Sequence, residues 1–199
     1  MTICYMKSRP KPYALRARLF PLRILRDLCV KSYFMTEALF YHLEKQSLDE
    51  VLPGLIERTL ARGWRALIRT ESAERAQAID ALLWTWNQES FLPHAQTGDG
   101  DAAMQPVLIT TEADNANQAH VLFLVGGAMP ASWDGETARY TRIVVLIEGR
   151  DPSAISTAGA GWAACMQAGH QATYWRQSQA GKWEKQSPAA QWASSQSEK

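Results

Sequence analysis

The 199-residue sequence is short of most of the features that announce chemistry. Its three cysteines, Cys4, Cys29 and Cys165, form no CxxC pair, and His42, His94, His120 and His170 are scattered without an HExxH among them. This excludes a disulfide framework and the usual zinc spacings, and it suits a reducing cytoplasm. No G-x-S-x-G nucleophile elbow, G-x-G-x-x-G turn or Walker lysine is present, so neither a serine hydrolase nor a nucleotide enzyme is indicated. No apolar run is continuous enough for a secretory signal or a membrane span.

Excess charge is missing too, but only in the sum. The 21 basic and 20 acidic residues give a net +1, yet residues 1–34 carry eight basic groups against the single acid Asp27. The rest of the chain therefore holds thirteen basic and nineteen acidic residues, a net −6. A net-acidic body has little to offer a phosphate backbone, so contact with DNA is expected to be indirect. The basic leader, in which Pro10, Pro12 and Pro21 interrupt a leucine and arginine pattern, is read as an extension. It is expected to be disordered or translated from a start codon ahead of Met35, with a membrane-surface or nucleic-acid arm as the functional alternative.

What is present is a regular alternation of strand and helix patterns from Met35 onward. Ala38 to Leu43 alternates apolar and aromatic residues as a first strand does. Ser47 and Glu50 form a capping-box pattern before the apolar stripe Leu48, Val51, Leu52, Leu55, Ile56 and Leu60, with Gly63 as the stop. Pro53 inside that stripe predicts a kink or a later start. Ala66 to Thr70 predicts a second strand and Ala73 to Trp86 a second helix. Further strands are expected at Pro106 to Thr111, His120 to Val125 and Ile143 to Ile147. The last of these is apolar throughout, as in a strand buried on both faces of a parallel sheet. Asp151 and Pro152 then open a helix that Gly169 ends, and a hairpin closes the domain around Ala180 and Gly181. The expected architecture is a single-domain α/β three-layer sandwich over residues 35–186, with a mostly parallel, Rossmann-like sheet lacking a nucleotide-binding loop. The Ser and Gln-rich residues 187–199 are expected to be disordered.

Individual residues offer little catalysis. Asp99 and Asp101 begin like a calcium loop, but Thr110 stands where the bidentate Glu belongs. Gly159 and Gly161 fall inside a helix, where they signal close packing. Cys165 has no activating neighbour in the sequence and is expected to be an inert buried thiol. No catalytic, cofactor-binding or metal-binding residue is therefore assigned.

The stretch LWTWNQESFLPH, Leu83 to His94, is more informative. Pro93 pushes Leu92 toward an extended conformation and presents Phe91 on a fixed corner, as a core plug or as a docking anchor. Trp84 lies off the apolar stripe of its helix and is expected to be partly exposed. Trp162 continues the spacing of Ile155 and Ala158, which fits a core residue or a pocket wall.

Taken in order, TEALFYHL at Thr36 to Leu43, DALLW at Asp80 to Trp84, ESFLPH at Glu89 to His94, PVLITT at Pro106 to Thr111 and AGHQATYW at Ala168 to Trp175 resemble the chi subunit of bacterial DNA polymerase III. The resemblance covers Met35 to about Lys185 and leaves the leader without a counterpart. It implies a non-catalytic clamp-loader accessory protein of the cytoplasm. One of its surfaces holds the psi subunit or another clamp-loader subunit, and another grips the acidic, Phe-ended C-terminal tail of single-stranded DNA-binding protein. No membrane partner or cofactor is implied. Trp84 matches the tryptophan of the tail-binding surface, Phe91 with Pro93 the docking corner, and Trp162 the aromatic that frames the tail pocket. The late helix departs from the family: Gly159, Ala163 and Met166 replace its basic residues, and no charged residue occurs from Pro152 to Trp175. A scaffold that has lost tail binding is the alternative, with a nucleotide-dependent α/β enzyme behind it.

Overall fold

The computed structural model describes residues 36–187 except Gln88 and Gln179. The readings made for the leader and for the tail beyond Ser187 lie outside these residues. The described chain runs β1 (Glu37–Leu43), α1 (Leu48–Leu60), β2 (Ala66–Arg69), α2 (Ala73–Thr85), β3 (His94–Gln96), β4 (Val107–Thr110), β5 (Val121–Leu124), β6 (Arg142–Glu148), α3 (Pro152–Gln167), β7 (Gln171–Gln177) and β8 (Trp183–Gln186). The strands form one eight-stranded sheet in the order β3-β4-β2-β5-β6-β1-β7-β8. Every pairing is parallel except the closing β7–β8 hairpin.

Two apolar layers follow from strand alternation. On one face Val144 and Leu146 of β6 join Ile68, Ile109 and Phe123 beneath α1 and α2. On the other, Ile143, Val145 and Ile147 join Leu67, Leu108 and Leu122 beneath α3, with Trp133 and Tyr140 from the β5–β6 connection. Strand β6 is apolar throughout because both of its faces are covered, which is the physical content of a three-layer α/β sandwich.

Local signals explain most of the boundaries. At α1 the Ser47 hydroxyl accepts from the Glu50 amide while the Glu50 carboxylate accepts from the Ser47 amide, so both orphan donors are satisfied. Pro53 sits inside α1 with its ring buried; the helix therefore starts at the predicted cap, and Pro53 forfeits one amide bond within it. Ser72 caps α2 and Asp151, followed by Pro152, caps α3. Strand β3 was not expected, since three residues at a sheet edge carry no periodicity to read.

Candidate functional site

The Leu83 to His94 stretch resolves into a small aromatic corner between α2 and β3. Leu92 is the core plug, only 3% exposed, whereas its neighbour Phe91 is 70% exposed. Trp84, off the buried stripe of Ala76, Ile79 and Leu83, is 59% exposed. The two outward rings lie 6.0 Å apart, and Trp84 also lies 4.9 Å from the His94 ring.

His94 fixes this arrangement. Its buried ring donates from Nδ1 to the Leu92 carbonyl at 2.6 Å, and its Nε2 lies 3.3 Å from the Asp80 carbonyl and 3.4 Å from the Asp80 carboxylate. The ring thus ties the corner to α2, while Pro93 and the edge strand hold the backbone on the other side. Ser90 adds a hydrogen bond to Glu57 of α1. Asp80 and Glu57 place carboxylates beside the corner, which gives that part of its rim an acidic character. The geometry offers apolar area on a rigid support, and the histidine and aspartate in it, His94 and Asp80, are engaged in tying the corner to α2.

Trp162 belongs elsewhere. It stands on α3, across the sheet from α2, with its ring 5.1 Å from Phe40 and 6.5 Å from Tyr174 in edge-on contacts. Trp84, Phe91 and Pro93 therefore form one surface, and Trp162 is a half-buried residue of the opposite layer. Beside α3 a groove of about 570 Å³ runs along residues 129–134, lined by Met129, Trp133, Thr157, Gly161 and Ala164. A Cβ on Gly161 would lie 2.8 Å from Met129 Sδ, so the flexible end of that methionine packs directly over the glycine. Arg176, the cation nearest in sequence to the uncharged stretch, is committed to Glu44.

The place where a nucleotide would bind in such a sheet is also explained. The connections from β1 and β6 leave to opposite faces, which makes the carboxyl ends of these neighbouring strands the switch point of the fold. A cleft of about 300 Å³ lies there, between residues 43–48 and 148–150. Its turn amides are already engaged: the backbone N–H groups of Glu44, Lys45 and Gln46 donate to Gln177 Oε1 at 3.3, 3.0 and 3.1 Å. The cleft is lined by Glu44, Glu50 and Glu148 as well as by Lys45 and Arg150, but a phosphate would find the amides of this turn already bonded to Gln177. The turn therefore lacks the free amides on which a nucleotide site of this fold relies.

The remaining candidates are structural. Asp99 accepts from the Gln96 amide and Asp101 from the Ala103 amide. Cys165 is fully buried, and burial pushes its thiol up to about 12. Among the described residues no group of three His, Cys, Asp or Glu could hold a metal ion, and no helix is long and apolar enough to cross a membrane.

Comparison with known proteins matches the sequence that folds in this way to a family. Residues 35–173 match the family described as DNA polymerase III chi subunit, HolC. A curated relative, "Probable DNA polymerase III subunit chi" of Rickettsia prowazekii (strain Madrid E), is 29% identical over 92 residues, covering 46% of this chain. The match spans 56% of that relative, a little over half its length. With the profile extending over more than two thirds of the sequence, from the first strand into β7, the chain belongs to the DNA polymerase III chi subunit family.

Proposed function

We propose that this protein is a non-catalytic accessory subunit of the DNA polymerase III holoenzyme in the cytoplasm, bridging the clamp loader to single-stranded DNA-binding protein. It touches DNA only through these partners, as its net-acidic body suggests. The observation that carries the docking part is the corner: Trp84 and Phe91, side by side and outward, on a backbone anchored by Leu92, Pro93 and His94. Exposed aromatics on a rigid support are the residues most enriched at binding hot spots. The acidic rim favours a partner on the clamp-loader side, psi or another subunit, with an apolar or basic contact surface.

Tail recognition at Trp84 is a weaker expectation. An acidic, Phe-ended peptide meets the Asp80 carboxylate there, and α3 offers no cation. Binding at Trp84 then rests on apolar contacts and changes little with salt. Titrating such a peptide onto the wild type and Trp84→Ala at two salt concentrations tests this. Equal affinity for the two proteins removes Trp84 from tail binding and leaves the clamp-loader contact as the function of the corner.

A further inference from the structure

The histidine that ties the aromatic corner to α2 has, among the described residues, only acceptors as polar partners. His94 Nδ1 lies 2.6 Å from the Leu92 carbonyl, and Nε2 lies 3.3 Å from the Asp80 carbonyl and 3.4 Å from the Asp80 carboxylate. Carbonyl and carboxylate oxygens accept and do not donate, so each of these contacts calls for a proton on the ring. A neutral imidazole carries one. The short contact to Leu92 takes it for Nδ1, which leaves the Nε2 lone pair facing two Asp80 oxygens. The imidazolium, with a donor on each nitrogen, satisfies the whole set.

The surroundings of the ring favour a positive charge as well. The Trp84 ring centroid lies 4.9 Å from that of His94, within the distance at which an indole attracts a cation. On the α2 side the charged group against the ring is Asp80. On the α1 side Glu57 reaches the corner through Ser90 Oγ at 3.3 Å, and β4 sets the apolar Val107 alongside. Both of these charges are negative. The His94 side chain is fully buried, which opposes a charge in general but also makes the lone-pair mismatch of the neutral ring costly.

We propose that His94 positions the docking corner through its charge, so that binding of a partner at Trp84 and Phe91 is linked to a proton on His94. With the proton gone, Nε2 no longer donates to Asp80. The tie between β3 and α2 slackens, and with it the Leu92–Pro93 backbone that aims Phe91 and the ring on which Trp84 packs. Docking is then tightest with the ring charged and weakens as pH rises and the proton leaves. Because this regulation presupposes a partner at the corner, it rests on the docking reading above.

The first measurement needs no partner. In the free full-length protein, NMR follows the His94 ring nitrogens, the Trp84 indole and the Phe91 amide from about pH 5.5 to about pH 8.5. Both ring nitrogens should carry protons at the acid end, and the Trp84 and Phe91 resonances should move together with the ring. Asp80→Asn keeps the shape and removes the charge, so it should shift that transition to lower pH. The second measurement quantifies clamp-loader subunits captured from the native cell by the tagged full chain at the two ends of this range. Capture should fall by about three- to tenfold on the alkaline side for the wild type and stay level for His94→Gln. Melting temperatures at each pH verify that the variants are folded, and Asp80→Asn serves alone if His94→Gln is not. A ring that stays neutral throughout, corner resonances that ignore its titration, or an equally steep pH dependence in His94→Gln would each overturn the proton link and leave docking intact. Undiminished capture by Trp84→Ala/Phe91→Ala would instead end docking at the corner, and the proposal with it.

Discussion

Phe91 and Leu92 are adjacent in sequence and opposite in role, and the difference is one of direction. The extended backbone imposed by Pro93 sends successive side chains to opposite sides, so Leu92 enters the core and Phe91 leaves it. Leu92→Ala is expected to cost about 2–5 kcal/mol of stability through lost burial and a residual cavity. Phe91→Ala, with most of its ring already in water, should cost less than about 1 kcal/mol. Chemical denaturation of the two variants measures this directly, and similar losses for both would mean that Phe91 supports the fold. The sequence left Phe91 open between plug and anchor because it cannot say which of two neighbouring apolar residues points inward. Cys165 was legible: without a charged neighbour, a cysteine on an apolar helix face stays a protonated thiol. With its pKa raised to about 12 by burial, and with Cys4 and Cys29 replaced by serine, the protein should remain unreactive toward a thiol reagent at pH 8 until it is unfolded. Rapid labelling of the native protein would contradict the burial.

At the scale of elements, caps and glycine stops placed α1 and α3, periodicity placed α2, and β6 announced its burial on both faces by its composition. The turn between β1 and α1 shows what composition cannot reveal. The absence of glycines there argued against a phosphate loop, but the reason the turn is stable lies 130 residues away, in the side-chain carbonyl of Gln177 that takes three successive amides. Gln177→Leu removes that acceptor while keeping the volume, leaves three amides to find new partners, and should destabilise the fold by about 1–3 kcal/mol. A thermal melt indistinguishable from wild type would show that water replaces the side chain without loss. The β5–β6 connection was equally silent. It supplies Trp133 and Tyr140 to the core, held by long-range bonds from Thr36 to the Thr137 and Tyr140 carbonyls and from the His170 ring to the Trp133 carbonyl. None of these has a periodicity.

For the whole molecule, the alternation of strands and helices gave the fold class, but strand order decides which helix lies on which face, and order leaves no trace in periodicity. The family resemblance put Trp84 and Trp162 at one tail-binding surface, whereas the crossovers set them on opposite sides of the sheet. The aromatic corner of Trp84 and Phe91 and the α3 face that carries Trp162 are then separate surfaces with the sheet between them. The most direct measurement is quantitative mass spectrometry of clamp-loader subunits and single-stranded DNA-binding protein captured by the tagged full chain from its native cell, for the wild type and Trp84→Ala/Phe91→Ala, with melting temperatures recorded for both. The account predicts that the wild type retains both partners and that the double variant, equally stable, loses the clamp-loader subunits. Undiminished capture of those subunits by a folded double variant would contradict it.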